Sequence, residues 1–177
     1  MFHRQATGEE SVNLDTFMMT EEQVKSQYSK YTQNADAAII EGAMGLFDGY
    51  ERSRGSSAEI AMLLDVGVIL LVNAKSTAYS VAATLQGFST FCKGLRIAGV
   101  VFNMVGSDRH YNMLRVACTD VGVRCLGYIP RNQELTIPSR HLGLTTLEQE
   151  RLERLIDTSA GEIESHVDLS ALFPESL

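Results

Sequence analysis

The chain has 177 residues, a formal net charge of −7 and an apolar content of 45%. That length suits one domain with a substantial core, and a net negative charge is unfavourable for a nucleic-acid-binding surface. No apolar run approaches the roughly 20 residues of a membrane span, and the first residues lack the apolar core of a signal peptide. The sequence therefore predicts a cytoplasmic protein of one domain, residues 1–177, without nucleic-acid or membrane partners.

The cysteines fit the same compartment. Cys92, Cys118 and Cys125 are an odd set without metal-ligand spacing. This pattern predicts reduced thiols that serve mainly as small buried hydrophobes.

The first half of the chain predicts two helices around one strand. The segment up to Met19 is polar and is predicted as loop. Thr20 and Gln23 have capping-box spacing, which predicts a helix to about Thr32 with Val24, Tyr28 and Tyr31 facing inward. A buried parallel strand is predicted at 37–41. Ser56 and Glu59 form a second capping box, which predicts a helix through Leu64 whose first amides offer an anion site.

The second half continues this alternation. Buried strands are predicted at 68–73, 97–102 and 124–129 from short apolar runs. Helices are predicted from Ser76 or Thr77 to about Cys92, from Ser107 to Val121, and from about Thr146 to His166. Alternating strands and helices define an α/β fold with a parallel sheet and flanking helices.

The stretch 37–49 carries the first candidate chemistry. An apolar run ends at Glu41, and a loop with Gly42, Gly45 and Gly49 follows and contains Asp48. A strand-end acid before a glycine-rich loop is one way in which phosphate-handling enzymes hold magnesium. The alternatives are a buried strand with a tight exit turn, and an acid that caps the glycine turn.

The string at 39–49, Ile-Ile-Glu-Gly-Ala-Met-Gly-Leu-Phe-Asp-Gly, resembles the central motif of the cobyrinic acid a,c-diamide synthase family. These are ATP-dependent, glutamine-using amidases of corrin-ring biosynthesis. The resemblance runs from about residue 3 to about residue 172 and implies a P-loop NTPase-like fold of the dethiobiotin-synthetase type. Further matches follow in the family's order at 6–8, 13–15, 55–61, 97–103, 105–111, 127–131 and 137–144.

One family motif does not occur in the sequence: the phosphate-cradling loop Gly-x-x-x-x-Gly-Lys-Ser/Thr. In the family it precedes the first matching residue and lies on a central strand, and a glutaminase domain follows the matching region. The resemblance thus implies the central part of a longer enzyme, inactive alone, with the glutaminase domain C-terminal to it. A sheet lacking the N-terminal P-loop strand should leave an unfilled slot or an exposed strand edge beside 37–41. Such an edge invites pairing with another chain, so a homodimer is one expected assembly.

The resemblance also implies roles for single residues, with ATP and Mg²⁺ as cofactors. Glu41 is the expected magnesium ligand, and Glu41 and Asp48 are the expected catalytic acids. Asn103 is the expected reader of the adenine base, with Pro130 and Arg131 on the same rim. The alternative for Asn103 is a helix-capping or turn residue.

A tetrapyrrole substrate carries many carboxylates and requires cations around it. Arginines more often lie on a solvated surface, histidines often pack or donate hydrogen bonds, and serines cap helices, so those alternatives stay open. Val12 stands where the family motif has arginine. The expected substrate-binding residues are Asn13, Asp15, Arg52, Arg54, Ser56, Ser57, Arg109, His110, Arg140 and His141.

The leading hypothesis is amidation of the a and c carboxylates of cobyrinic acid with glutamine-derived ammonia. The alternatives are amidation of nickel-sirohydrochlorin or hydrogenobyrinic acid, a partitioning-type ATPase switch, and a non-catalytic remnant. The last is tested by looking upstream in the reading frame for the glycine-lysine loop.

Overall fold

The structure, a computed structural model, describes residues 2–135 and 149–173. Within these residues, seven helices and three strands follow one another, and none of the helices is long and apolar enough to cross a membrane. The elements are α1 (Phe2–Thr7), α2 (Glu21–Thr32), α3 (Ser57–Leu63), β1 (Val68–Asn73), α4 (Val81–Thr90), β2 (Ile97–Val105), α5 (Asp108–Val121), β3 (Cys125–Pro130), α6 (Gln149–His166) and α7 (Leu169–Leu172).

The strands form one sheet in the order β1-β2-β3. β2 and β3 are parallel. Val68 N donates to Arg96 O at 2.9 Å and Ala74 N donates to Asn103 O at 2.8 Å. Because these partners advance in the same direction along both segments, β1 is parallel to β2 as well. The predicted α/β class with a parallel sheet and flanking helices is confirmed.

The chain forms two compact units. The first unit comprises residues 1–11, 70–86 and 99–177, and the second comprises 12–69 and 87–98. The core of the first unit includes Val101, Leu126 and Val167. In the second unit, Ala58 and Leu95 belong to a separate core cluster.

A glycine joins β3 to the end of α6 in the first unit. Gly127 has φ +144°, and a Cβ there would lie 2.7 Å from the Cα of Val167 and 3.0 Å from the carbonyl carbon of His166. The same junction contains a hydrogen bond from Asp168 N to Leu126 O at 2.7 Å. Only glycine allows this close backbone approach, so the end of α6 is held directly on β3.

Local capping signals are confirmed where the sequence predicts them. Thr20 Oγ1 accepts from Gln23 N at 3.3 Å, and Gln23 Oε1 accepts from Thr20 N at 2.8 Å, so the capping box of α2 is complete. Ser107 Oγ accepts from His110 N at 3.2 Å and begins α5. Both signals depend only on residues three positions apart.

The predicted strand at 37–41 is wrong. These residues form no strand, and the side chain of Ile39 is 85% exposed. A strand requires hydrogen-bonding neighbours, and no ladder within the described residues includes this segment. An exposed strand edge is nevertheless present, because β1 is an edge strand and Leu71 is 63% exposed. β1 is therefore less buried than its apolar sequence predicts.

Other corrections concern element boundaries. The opening segment contains α1 rather than loop only, and α4 begins at Val81 rather than at Ser76 or Thr77; Ser76 itself adopts φ +61°, which a right-handed helix excludes. Tyr31 is exposed rather than inward, and β2 continues past Phe102 to Val105. The predicted start of the last helix at Thr146 lies outside the described residues.

Candidate functional site

A pocket of about 200 Å³ lies in the first unit, where β2 and β3 end. Open parallel sheets place their ligands at the carboxyl ends of the strands. Pockets for drug-sized ligands measure roughly 300 to 1,000 Å³, so this volume suits a single flat ring system. The lining residues are Asn103, Met104, Ile129, Pro130, Asn132, Leu135, Ser159 and Ile163.

Asn103 lies at an irregularity of β2 on the pocket wall. Its Oδ1 accepts from Met104 N at 2.7 Å, while its side-chain nitrogen makes no hydrogen bond to a described residue. Met104 has φ +64°, and the register with β3 shifts between Asn103 and Val105. A non-glycine residue in this conformation costs of order 1–2 kcal/mol, and such strain is concentrated at functional sites. The turn alternative for Asn103 is thus partly realised, and a donor remains for a ligand.

α6 supplies the opposite wall of this pocket through Ser159 and Ile163, and Asn132 is bonded to the same helix. Asn132 Nδ2 donates to Glu162 Oε1 at 3.3 Å, and Asn132 Oδ1 accepts from Glu134 N at 2.9 Å. Glu162 Oε2 in turn lies 3.3 Å from His166 Nδ1. These contacts fix Asn132 in place. Sequence reasoning missed Asn132, Ser159 and Ile163 because their approach to β2 is tertiary and leaves no local pattern.

Of the predicted rim residues, Pro130 lines the pocket and Arg131 lies beside it. Arg131 is exposed, and its backbone N donates to Val105 O at 2.9 Å. The structure brings Asn103 and Pro130 together in one pocket, and the assignment of Asn103, Pro130 and Arg131 to a nucleotide base stays a prediction.

His110 ties together the loops that follow β1 and β2. Its Nδ1 accepts from Gly106 N at 3.2 Å, and its Nε2 contacts Thr77 O at 2.5 Å. Because a backbone amide can only donate, Nδ1 must be the unprotonated nitrogen and Nε2 the donor. This geometry favours the hydrogen-bonding alternative for His110. Arg109 is exposed beside it, and Arg140 and His141 lie outside the described residues.

The second unit contains a different cluster of predicted residues, organised by Glu59. Glu59 Oε2 accepts from Thr16 Oγ1 at 2.6 Å and from Gly55 N at 2.7 Å. One carboxylate oxygen therefore joins the loop at 13–17 to the loop at 49–55. Ser56 Oγ accepts from Glu59 N at 3.3 Å, so the helix cap forms as predicted, but the carboxylate bonds Gly55 N instead of closing the capping box.

Two residues of the first loop have structural partners. The Asn13 carbonyl accepts from Gln27 Nε2 at 2.7 Å, and Asp15 Oδ1 accepts from Phe17 N at 2.7 Å. Asp15 O also accepts from Met19 N at 3.0 Å. Asp15 thus caps the turn at residues 15–19 that carries Phe17.

The second loop is a tight turn that carries both arginines. Gly49 N donates to Arg52 O at 2.8 Å, and Tyr50 N donates to Arg54 O at 2.9 Å. Arg52 adopts φ +53°. The Arg54 guanidinium lies 5.7 Å from the Tyr50 ring centroid and 3.4 Å from the Glu51 carboxylate. Both arginine side chains are exposed.

The acids predicted for catalysis lie in the same unit. Glu41 is exposed, and the next residue, Gly42, passes so close to α3 that a Cβ there would lie 2.7 Å from Ser57 Oγ. Asp48 N donates to Gly45 O at 2.9 Å, and its carboxyl carbon would lie 3.1 Å from a Cβ on Gly45. The Asp48 carboxylate therefore lies over the glycine turn, and the catalytic and capping roles of Asp48 both stay predictions.

The predicted anion site at α3 is partly used within the fold. Ala58 N donates to Leu46 O at 3.0 Å, and Glu59 N donates to Ser56 Oγ. Ser56 is buried and acts as the helix cap, whereas Ser57 is half-buried.

The described residues contain no ready-made cage for a magnesium ion. Over residues 2–135 and 149–173, no three His, Cys, Asp or Glu side chains group closely enough to hold a metal ion by themselves. Mg²⁺ normally takes only one or two carboxylates and completes its shell with phosphate and water. The exposed Glu41 fits such a single-carboxylate role.

A cysteine pair in the first unit differs from the sequence prediction. Cys118 is buried as predicted, but Cys125 is only half-buried and its Sγ lies 3.5 Å from Tyr111 Oη. A hydrogen bond from Cys118 lowers the pKa of Cys125 to about 6, with Tyr111 contributing in the same direction against the effect of burial. The hydrogen bond to Cys125, together with burial, raises the pKa of Cys118.

We expect Cys125 to be alkylated at neutral pH while Cys118 is protected. The thiolate is the nucleophile, so the rate with iodoacetamide should increase as the pH rises through about 6 and level off above it. Replacing Tyr111 by phenylalanine removes one donor to the thiolate and should move this midpoint upward. Peptide mapping by mass spectrometry between pH 5 and 8 measures both rates. A midpoint above pH 8 in the unchanged chain would contradict the lowered pKa.

The comparisons with known proteins define the class first. The family described as "AAA domain" matches residues 4–139, and the chain belongs to this family. This places it among nucleotide-binding domains of the P-loop NTPase type. No solved structure matches the chain.

The curated relatives are more particular. The chain is 45% identical over 174 residues to the cobyrinate a,c-diamide synthase of Caldanaerobacter subterraneus subsp. tengcongensis. It is 42% identical over 173 residues to the hydrogenobyrinate a,c-diamide synthase of Brucella ovis and 44% identical over 179 residues to that of Mycobacterium tuberculosis. Each alignment covers 97% of this chain and 38–40% of the relative. The family resemblance predicted from the motifs is confirmed, and the chain spans about two fifths of the length of these relatives.

Proposed function

We propose that the chain is the nucleotide- and substrate-binding portion of an a,c-diamide synthase that amidates a corrin-type ring. The observation that carries the proposal is the continuous similarity to such synthases over 97% of the chain. In this proposal the pocket at the ends of β2 and β3 would receive the nucleotide base. The loops joined by Glu59 carry the arginines that would meet the substrate carboxylates.

The proposed reaction has two steps. A substrate carboxylate oxygen attacks the γ-phosphorus of ATP, giving an acyl phosphate and ADP. Ammonia derived from glutamine then attacks the acyl carbon, inorganic phosphate leaves, and the amide remains after loss of a proton. Phosphoryl transfer demands positioning and charge neutralisation rather than covalent work by the protein.

In the first unit, Asn103 would orient the nucleotide base. Its side-chain nitrogen can donate to a ring nitrogen of adenine, while Ile129, Pro130 and Ile163 offer apolar surface to the ring faces. The polar groups of Asn132 are already engaged by Glu162 and Glu134, so Asn132 serves as a fixed wall.

In the second unit, Arg52 and Arg54 would pair with substrate carboxylates, because guanidinium groups bind carboxylates in a planar, two-point geometry. Glu41 would provide the protein ligand to Mg²⁺, whose role is to offset phosphate charge. The relatives' names include both cobyrinate and hydrogenobyrinate, so the proposal covers the metal-containing and the metal-free ring. Measuring which ring is amidated faster separates the two.

We expect replacement of Asn103 by alanine to weaken adenosine binding about tenfold, since one hydrogen bond in a partly enclosed pocket contributes about 1.4 kcal/mol. Saturation-transfer NMR of the chain with adenosine, and with guanosine for comparison, measures the affinity. Asn112, an exposed asparagine on α5, is the matched control and its alanine variant should bind as the unchanged chain does. Equal affinity in the Asn103 and Asn112 variants would remove the pocket from the proposal.

A further inference from the structure

Two aromatic side chains of the second unit lie next to each other on the surface. Phe17 is 70% exposed and Tyr50 is 51% exposed, and their ring centroids are 5.1 Å apart with an interplanar angle of 64°. Single exposed aromatics are ordinary, but an adjacent pair forms a continuous apolar surface. The predicted site residues around them do not include either ring.

The fold holds both rings in place. Phe17 N donates a hydrogen bond to Asp15 Oδ1 at 2.7 Å, and this bond fixes the backbone that carries the Phe17 ring. Tyr50 lies against Gly55, where φ is +76° and a Cβ would come within 2.6 Å of the Tyr50 ring. The Glu59 carboxylate then joins the two loops through Thr16 and Gly55. The two loops that carry the rings are therefore joined before a ligand binds, which lowers the entropy cost of ordering them.

One guanidinium group borders the Tyr50 ring, and a second arginine belongs to the same turn. Arg54 lies 5.7 Å from the Tyr50 centroid. Arg52 is exposed, adopts the strained φ of +53° and makes no ion pair with any residue in the described ranges. Strained backbone at an exposed turn is a reason to look for a bound ligand there. We call Phe17, Tyr50, Arg52 and Arg54 the aromatic–arginine patch.

We propose that the aromatic–arginine patch binds the tetrapyrrole macrocycle directly, with Phe17 and Tyr50 contacting the ring and Arg52 and Arg54 pairing with its peripheral carboxylates. This inference rests on the proposed function and adds Phe17 and Tyr50 as substrate-specificity residues. The patch complements the ligand class of the proposed function, since a broad apolar ring edged with carboxylates matches an apolar surface that carries guanidinium groups.

A second copy of the chain fits the patch less well. In a two-fold symmetric contact the same surface meets itself, so the patch would face a second set of arginines with one carboxylate, that of Glu51, instead of a ring edged with carboxylates. Like charges in close contact are unfavourable. The macrocycle is therefore the occupant that the charges favour.

The experiment titrates the chain with hydrogenobyrinic acid and with cobyrinic acid and follows the absorption of the ring. Tyrosine fluorescence gives a second readout, because the sequence contains no tryptophan. Alanine at Phe17 or at Tyr50 should raise the Kd about five- to tenfold. Phenylalanine at Tyr50 keeps the ring and should stay within about twofold of the unchanged chain. Tyr79, which is 53% exposed in the first unit, is the matched control, and its alanine variant should bind normally.

The remaining arms separate the outcomes. With a ring whose carboxylates are esterified, Arg52→Ala should no longer weaken ring affinity, because the ester cannot pair with the guanidinium. Binding that is unaffected by either alanine variant overturns the patch and leaves the proposed function standing. Absence of ring binding in the unchanged chain overturns both. If the alanine variants alter the sedimentation coefficient but not the ring affinity, the surface serves self-association. If they weaken ATP binding alone, the surface belongs to the nucleotide site. Either result overturns the proposal.

Discussion

If the proposed function holds, replacement of Glu41 by glutamine is expected to lower ATP-dependent amide formation by at least about a hundredfold. Glutamine keeps the size of the side chain but removes the negative charge that a magnesium ion requires of its protein ligand. Thermal unfolding of the variant, measured alongside, separates a loss of fold from a loss of metal binding. Steady-state amide formation as a function of Mg²⁺ concentration measures the effect.

The magnesium dependence makes this prediction specific. If Glu41 is a ligand, the variant should need more Mg²⁺ and recover part of its rate when the concentration is raised. Asp36, an exposed acid five residues earlier, is the matched control, and its asparagine variant should show the normal rate and the normal Mg²⁺ requirement. A Glu41→Gln enzyme with undiminished turnover would remove the metal-binding role and with it the proposed phosphoryl-transfer site.

Replacement of Glu59 by alanine is expected to cost about 2 to 4 kcal/mol in the free energy of unfolding. Two hydrogen bonds to one carboxylate oxygen are lost, at 2.6 Å to Thr16 and 2.7 Å to Gly55, and hydrogen bonds to charged groups contribute about 1.5–3 kcal/mol each before relaxation. Urea unfolding measures the change. Because the loops at 13–17 and 49–55 lose their common anchor, ring binding by the aromatic–arginine patch should weaken as well.

Two graded variants separate the hydrogen bonds from the charge. Thr16→Val removes one of the two donors and should cost about half as much as Glu59→Ala. Glu59→Gln keeps an acceptor oxygen and should fall between the unchanged chain and alanine. If Glu59→Ala unfolds at the same urea concentration as the unchanged chain, the carboxylate does not join the loops in solution.

The sequence predicts well what depends on neighbouring residues. The caps at Thr20 and Ser107 form as expected, because each uses a side chain and an amide three residues apart. The strand at 68–73 is also confirmed, since a short apolar run bounded by turn signals specifies its own conformation. The family motifs allow the fold class to be predicted as well, because several short matches in a fixed order are far more specific than any one of them.

The sequence fails where a partner distant in the chain decides. The apolar run at 37–41 has strand composition, but its strand conformation depends on a neighbour that the described residues do not supply. Glu59 matches a capping box by its spacing, yet its carboxylate bonds Thr16, 43 residues away. Local propensity reports neither the missing strand neighbour nor the distant hydrogen-bond partner.

The pocket at the ends of β2 and β3 shows both situations at once. Asn103 and Pro130 follow predicted strands, so their meeting at one edge of the sheet could be anticipated. Ser159 and Ile163 come from α6, and no spacing or composition signal connects that helix to the end of β2. Half of the pocket is therefore predictable from strand order, and half depends on tertiary packing.

Gly127 has a consequence for how this pocket can change. The main chain of β3 touches the main chain at the end of α6 there, with no side chain between them. The distance between the two walls is therefore set by backbone atoms, which point substitutions elsewhere do not alter. Mutations among the lining residues can therefore change the chemistry of the pocket surface while its width is preserved, so the lining can evolve separately from the architecture.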